Sequence, residues 1–179
     1  MSSDRLTPFS YAVLALIGEG GAGPHDLASM MRRGSIYWAA AESQWYGEPK
    51  RLEGLGYLRS EKRPGRTTPR THYLLTRKGR SALRAWLAQP SSLPRMQNET
   101  IVRVLAGDLG DDQALRASLE GMRGGIAAAR ANLKAGEAAA AQLPHRARYL
   151  RLVHAYGQAL LDMHERWLEE AERELEPGG

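Results

Sequence analysis

The apolar residues of this chain repeat with a helical period in several segments, and the segment at residues 43–58, SQWYGEPKRLEGLGYL, organises the others. Its apolar positions are spaced four, three and three apart: Trp45, Pro49, Leu52 and Leu55. This spacing predicts a helix with one buried face, opposite a polar face that carries Gln44, Lys50 and Arg51. We expect Ser43 to cap the helix, Pro49 to bend it, and Gly56 to end it in the left-handed conformation. An ordinary amphipathic surface helix would show the same pattern.

Two shorter helices are predicted before this segment. Thr7 can cap the first, and Pro8 suits its first position, where a missing N–H costs nothing. The apolar run at residues 9–17 then predicts a buried helix that ends at Gly18. The second helix begins near Pro24 and buries one side, made of Leu27, Ala28 and Met31.

A basic hairpin is predicted next. Residues 57–62 and 71–76 suit strands, and RPGRTTPR at 63–70 between them is turn-forming and positively charged. Thr76 then caps a further helix, which Pro90 ends. Three helices, a hairpin and a fourth helix, in this order, predict a winged helix-turn-helix. In that fold the third helix enters a DNA major groove and the hairpin wing follows phosphates.

The rest of the chain is predicted to be helical. Residues 91–110 hold a linker and a short helix, and a long helix with a heptad seam follows, which includes Leu115, Leu119, Met122 and Ile126. Pro144 interrupts the pattern. A final helix repeats it through Tyr149, Val153, Tyr156, Leu160, Met163 and Trp167. The two stripes hold more apolar surface than one antiparallel neighbour covers, so we predict a homodimer.

The expected fold is therefore mainly α. It consists of a winged helix-turn-helix DNA-binding domain at residues 1–90, a linker and short helix at 91–110, and a long antiparallel helical dimerisation region at 111–179. The balance of basic and acidic residues also differs between the two halves of the chain. Residues 1–90 hold 14 Lys and Arg against 7 Asp and Glu, whereas residues 91–179 hold 11 against 13.

The positive charge is concentrated between residues 50 and 84, which hold 11 basic and 2 acidic residues. Such a segment suits the phosphates of nucleic acid or an anionic membrane surface. A membrane-surface helix would show a wide apolar face beside its charge, whereas this charge lies on a hairpin and on helix ends. The pattern favours double-stranded DNA and no membrane.

Composition limits the other possibilities. Cysteine is absent, which excludes disulfides and thiolate metal sites and is typical of a reducing cytoplasm. No apolar run approaches about 18 residues, and no charged-then-apolar leader opens the chain, so we expect a cytoplasmic protein. The five histidines lack metal-ligand spacing, and neither a glycine-rich phosphate loop nor a nucleophile elbow is present. We therefore expect no metal, no cofactor and no enzymatic activity.

The segment at residues 43–58 resembles the PadR family of bacterial transcription regulators. That family has Ser-Gln, an apolar residue and Tyr before a Lys-Arg-Leu-Glu run and a glycine-ended helix. Residues 73–79, YLLTRKG, are similar to its second wing strand and the start of its fourth helix. Residues 91–179 resemble the virulence-activator-type helical domain of its longer members. Pro49 departs from the family pattern, because leucine is expected there.

The resemblance implies a homodimer that binds a palindromic operator and usually represses, until a small molecule or another signal releases it. It implies DNA contacts from the recognition helix through Ser43, Gln44, Tyr46, Lys50 and Arg51. The wing would add Lys62, Arg63, Arg66 and Arg70. Gln44 suits an adenine edge and Arg51 a guanine edge, whereas the wing residues suit phosphates. Tyr46 could equally pack in the core.

The effector and the alternative functions stay open at this point. A flat aromatic ligand could bind among Trp38, Trp86 and Trp167, although aromatic residues at helical spacing more often form core. A nucleoid-associated dimer that binds DNA without sequence preference would share the charge pattern. A membrane-surface or protein-interaction module is the remaining alternative.

Overall fold

The fold comprises two compact units, Met1–Ser92 and Leu93–Gly179. It comes from a computed structural model that describes residues 5–37, 40–65, 68–94 and 96–176. The first unit holds four helices and a β-hairpin, and the second holds the C-terminal helices.

Three helices open the first unit: α1 at Pro8–Ile17, α2 at Pro24–Arg33 and α3 at Glu42–Gly54. Thr7 caps α1 as predicted, because its hydroxyl accepts from the backbone N–H of Ser10 at 3.2 Å. In return, the Thr7 N–H donates to the Ser10 hydroxyl at 2.9 Å. The predicted boundaries of the first two helices are confirmed.

The start of α3 differs from the prediction. Ala41 is its N-cap residue, and the backbone N–H of Ala41 donates to Oε1 of Gln44 at 3.2 Å. Ser43 lies inside the first turn, so the prediction that it caps the helix is wrong. The reason is that Gln44, at the third helical position, reaches back to the cap backbone, and the helix begins two residues earlier than it would with Ser43 as its cap.

The hairpin consists of β1 at Leu58–Arg63 and β2 at Arg70–Leu75, paired antiparallel with Leu58 opposite Leu75. Both strands lie within one residue of their predicted bounds. Ala22, in the loop before α2, adds a bridge to Tyr73 through backbone bonds of 2.9 and 3.0 Å. The preceding Gly21 has φ +74°, and a Cβ there would lie 2.6 Å from the Tyr73 carbonyl oxygen. The loop therefore requires glycine at this position.

Helix α4, Arg77–Leu87, closes the first unit, and Thr76 caps it by accepting from the Gly79 N–H at 3.1 Å. A Cβ at Gly79 would overlap the carbonyl oxygen of Tyr57, so α4 begins in direct backbone contact with the chain that enters β1. All these elements share one core, formed by Val13, Leu14, Ile17, Ala22, Leu27, Met31, Trp45, Leu52, Leu58, Tyr73 and Leu75.

The second unit contains α5 at Glu99–Leu105, α6 at Asp112–Ala140 and α7 at Ala147–Glu174. Short 3₁₀ turns at Gly107–Leu109 and Pro144–Arg146 connect them. Asp111 caps α6 by accepting from the Ala114 N–H at 2.8 Å. Within the described residues, no helix is long and apolar enough to cross a membrane.

Helices α6 and α7 pack against each other through buried positions that are spaced by seven residues on α6 and by four and seven on α7. The buried positions are Leu119, Ile126 and Leu133 on α6, and Gly157, Leu161 and Leu168 on α7. Leu119 and Ile126 are 0% and 6% exposed, so they cannot form dimer surface as predicted. The physical reason is that α7 of the same chain already covers the α6 stripe.

Three arginines on α6, also spaced by seven residues, fix the register of this helix pair. Arg130 donates to Asp162 at 2.7 Å and to Glu165 at 2.5 Å. Arg123 forms an ion pair with Glu172, further along α7. Arg116 lies 4.0 Å from Glu176, just beyond the end of α7. The partners lie progressively later in α7 as the arginines lie earlier in α6, which requires antiparallel packing.

Candidate nucleic-acid interface

Helix α3 turns one face to the core and the other to solvent. Trp45, Pro49 and Leu52 are buried, and the Trp45 indole N–H donates to the Ala40 carbonyl at 3.2 Å. The ring of Phe9 packs on Trp45 with 4.8 Å between centroids. The exposed face carries Ser43, Tyr46, Gly47 and Lys50. This face is therefore open to a partner, as expected of a recognition helix.

Tyr46 and Gly47 define the shape of the exposed face. The Tyr46 side chain is 42% exposed, so it does not pack in the core. A Cβ at Gly47 would meet nothing within 4 Å. The exposed face between Ser43 and Lys50 therefore has open space at Gly47, next to the exposed Tyr46 side chain.

Arg51 does not belong to this exposed face. Its guanidinium forms two bonds with the Glu48 carboxylate, Nε to Oε2 at 2.8 Å and Nη2 to Oε1 at 2.7 Å. Nη2 also donates to Oγ of Ser10 on α1 at 3.0 Å. The Arg51 side chain is 24% exposed. The structure thus places it at the α1–α3 contact and not where a base-reading residue is needed.

The electrostatics of this contact depend on Glu48. Burial raises the pKa of the Glu48 carboxyl, but the hydrogen bonds from Arg51 and Ser10 outweigh burial and leave its pKa below the ordinary value. The Ser10 hydroxyl donates to Oε1 of Glu48 at 2.6 Å. A carboxylate, a guanidinium and a buried hydroxyl therefore satisfy one another between the two helices.

The C-terminal end of α3 is held by residues from the beginning of α4. Gly56 has φ +76°, so the prediction that it ends the helix in the left-handed conformation is confirmed. The Tyr57 N–H donates to the Leu52 carbonyl at 2.9 Å, which closes a Schellman motif. Lys78 donates to the Leu55 carbonyl at 2.7 Å, and its Nζ lies 4.4 Å from the centroid of the Tyr57 ring.

The hairpin wing carries exposed cations on both strands: Arg59, Lys62, Arg63 and Arg70. Glu61 lies between two of them, and accepts from Arg59 at 3.2 Å and from Arg63 at 2.8 Å. These bonds lower the pKa of the Glu61 carboxyl, the Arg63 bond most. Lys62 donates to the Thr71 hydroxyl at 3.0 Å. The wing is thus a basic surface with one acidic residue within it on β1.

The structure brings together most of the residues expected to contact DNA, in two groups within the first unit. Exposed positions on α3 include Ser43, Gln44, Tyr46 and Lys50, although Oε1 of Gln44 also accepts from the helix cap. Exposed positions on the wing include Lys62, Arg63 and Arg70. Arg66 lies outside the described residues. Three further residues hold α3 in place: Ser10 and Glu48 at its contact with α1, and Lys78 at its C-terminal end. Sequence reasoning missed them because nothing in their spacing shows which distant residues they contact.

Apolar side chains are exposed along one side of α7. Tyr149 is 64% exposed, Val153 44%, Tyr156 53% and Met163 39%. Leu160 and Trp167, on the same side of the helix, are half-buried. On α6, the predicted dimer residues Leu115 and Met122 are also half-buried. The exposed α7 side is a large apolar surface of the kind that marks a protein interface.

Two of the aromatic residues considered for an effector are among the described residues, one in each unit. Trp86 stacks on Tyr11 in the first unit, with ring centroids 4.7 Å apart and planes 7° from parallel. Trp167 lies on α7 in the second unit, and Trp38 lies outside the described residues. An open depression in the second unit is lined by none of them, but by Glu99, Thr100, Arg103, Ser118 and Met122. Among the described residues, no cluster of three or more His, Asp or Glu side chains could hold a metal ion.

Comparison with known families identifies the second unit. Residues 96–176 match the family model of the virulence activator alpha C-terminal region. A comparison with curated protein sequences gives no match.

Comparison with solved structures identifies the fold of the whole chain. Bacillus subtilis PadR in complex with operator DNA has TM-score 0.75 at 20% identity, over 96% of this chain and 99% of that one. The Vibrio cholerae virulence activator AphA has TM-score 0.68 at 22% identity, over 93% and 96% of the two chains. B. subtilis PadR in complex with p-coumaric acid has TM-score 0.64 at 21% identity, over 93% and 98%.

The chain therefore has the winged-helix fold of the PadR-like regulators, and its C-terminal residues 96–176 match the virulence activator alpha C-terminal model. The resemblance found in the sequence is confirmed for both parts.

Proposed function

We propose that this chain is a sequence-specific DNA-binding transcription regulator. The observation that carries the proposal is the placement of the exposed face of α3 and the basic wing in one compact unit with a single core. A winged helix-turn-helix uses these two elements for the major groove and for phosphates, respectively. In support, the operator-bound PadR of B. subtilis shares the fold over nearly the whole of both chains.

Base reading would fall to the exposed residues of α3. Lys50 can donate to guanine edges or to phosphate, and the amide of Gln44 suits adenine if it leaves the helix cap on binding. Ser43 and Tyr46 lie beside them and can bond to either bases or phosphates. We revise the role of Arg51, because its guanidinium is committed to Glu48 and Ser10.

We further propose that the protein acts as a homodimer through the second unit, with the first unit as the DNA-binding domain. The exposed apolar side of α7 is the surface that a second copy would cover. A two-fold dimer carries two recognition helices, so the operator is expected to be palindromic.

Repression that a small molecule or another signal relieves is the regulatory mode we propose. Two observations support it: the shared fold with PadR, and the existence of a p-coumaric acid complex of that relative. One of the aromatic residues considered for the effector, Trp86, is stacked on Tyr11 within the first unit.

Selection from a random-sequence duplex library, followed by footprinting of the enriched duplex, tests the function. We expect one palindromic motif, protected over two half-sites about one helical turn apart. Lys50→Ala should weaken binding to the enriched duplex by roughly 1–3 kcal/mol and change its motif. As a matched control, Lys134→Ala, at an exposed position of α6 in the second unit, should change neither the affinity nor the motif.

A library that yields no motif while every duplex binds equally would identify a non-specific nucleoid-type protein. Absence of binding to any duplex would exclude nucleic acid as the partner.

A further inference from the structure

Pro49 interrupts the hydrogen bonding of the recognition helix at its centre. Proline has no N–H, so the Trp45 carbonyl one turn earlier receives no bond from residue 49. The helix nevertheless continues from Glu42 to Gly54, with Pro49 buried against the core. The turns on either side of Pro49 are therefore joined by one backbone bond fewer than in a regular helix.

Two side chains, one on each side of Pro49, form an ion pair. Glu48 precedes the proline and Arg51 follows it, so their two bonds of 2.7 and 2.8 Å link the two sides of Pro49. A bidentate pair of this kind fixes relative orientation as well as distance, because the guanidinium and the carboxylate are both planar.

Ser10 ties this pair to a helix outside α3. Its side chain is 0% exposed, and its Oγ donates to Glu48 at 2.6 Å while it accepts from Arg51 at 3.0 Å. The same oxygen accepts from the backbone N–H of Thr7, so the capped N-terminus of α1 fixes its position. One buried hydroxyl therefore contacts both Glu48, directly before the proline, and Arg51, two residues after it.

We propose that Ser10 is a positioning residue, which acts through Glu48 and Arg51 to hold the two halves of α3 around Pro49 in the geometry that sequence-specific DNA binding requires. The proposal rests on the proposed function. Ser10 itself is buried and touches no DNA, so its effect is on the choice of sequence through the relative placement of residues 43–47 and 50–54.

A double-mutant cycle between Ser10 and Pro49 tests the proposal. Pro49→Ala restores a backbone N–H at residue 49, and should make the helix less dependent on the side-chain contact. Binding is measured to the duplex enriched by the wild-type protein and to a shuffled duplex of the same composition. Ser10→Ala should reduce the ratio of these affinities about tenfold, and the reduction should shrink to about twofold in the Pro49→Ala background.

Amide hydrogen exchange of the free protein gives a second measurement that needs no DNA. We expect Ser10→Ala to speed exchange within residues 50–54, with a smaller effect when Pro49 is alanine. Ser81→Ala, at an exposed position of α4, is the matched control and should leave both exchange and affinity ratio unchanged. If Ser10→Ala does not fold, Glu48→Gln takes its place in both measurements, because it keeps the side-chain size and removes the charge.

The outcomes separate this proposal from the function it rests on. An unchanged affinity ratio in Ser10→Ala, or an equal loss in both Pro49 backgrounds, overturns the positioning role and leaves DNA binding intact. If the wild-type protein enriches no duplex, the proposed function fails. If Ser10→Ala leaves amide exchange within residues 50–54 unchanged, the structural part of the positioning proposal is overturned as well.

Discussion

Nη2 of Arg51 lies 3.0 Å from Oγ of Ser10, a residue 41 positions earlier in the chain. This contact gives neighbouring cations on the recognition helix opposite roles, since Lys50 is exposed and Arg51 is engaged between helices. Arg51 stabilises the contact between α1 and α3, whereas the exposed Lys50 side chain can bind a ligand.

Alanine substitution should separate these roles. Arg51→Ala leaves the partly buried Glu48 carboxylate without its main partner, so we expect a loss of about 2 kcal/mol in the free energy of unfolding. Lys50→Ala removes an exposed side chain and should change it by no more than about 0.5 kcal/mol. Urea unfolding of both variants measures this. Equal stability of the two variants would show that the Arg51 contact contributes nothing to the fold.

Acid should weaken the α1–α3 contact. The folded-state pKa of Glu48 is depressed, so its contribution to stability is present above its ordinary pKa of 4.5 and is lost as pH falls through the lower folded value. Thermal unfolding between pH 6 and pH 3 should show a steeper loss in the wild-type protein than in Glu48→Gln. Parallel curves would mean that other carboxylates account for the acid sensitivity.

The proposed dimer predicts a clear difference between two sides of α7. Leu160→Glu combined with Met163→Glu places charge on the apolar side and should give monomers in sedimentation velocity at micromolar concentration. Ala155→Glu, at an exposed position of α7 outside the apolar side, is the control and should stay dimeric. A double variant that remains dimeric would assign the interface elsewhere.

Glu61 is expected to limit the affinity of the wing for DNA. Its bonds to Arg59 and Arg63 compete with phosphate for both arginines. Glu61→Gln should therefore bind any duplex more tightly, and the magnitude of its salt slope should grow by about 0.9 for each additional phosphate contact. Gel-shift titrations on the shuffled duplex over a salt series measure both quantities. Weaker binding by this variant would instead assign Glu61 a role in shaping the wing.

The sequence predicted the elements of the first unit well because their signals are local. Thr7 and Pro8 begin a helix by backbone chemistry that needs no distant partner, and Gly56 ends one by its freedom at positive φ. The strands of the hairpin also have a local signal, because turn-forming residues 63–70 lie between the two segments that suit strands. These features do not depend on which other helix lies nearby.

The contacts of individual polar side chains could not be predicted from such local signals. Ser10 sits in an almost wholly apolar run, and only the packing of α1 on α3 brings it to Glu48 and Arg51. Likewise, Leu119 and Ile126 fit a dimer seam equally well in sequence, but α7 of the same chain covers them. A heptad pattern shows that a partner helix exists and does not show which chain supplies it.

The salt dependence of binding to the enriched duplex tests the central claim most directly. Lys50, Lys62, Arg63 and Arg70 are the described cations proposed to meet DNA, and if about three engage in each protomer, a dimer releases roughly six counterions. We expect log K to fall with log salt at a slope of about −5, and Arg63→Ala to flatten that slope by roughly two for the dimer. A slope near zero for the full-length protein would contradict DNA binding through α3 and the wing.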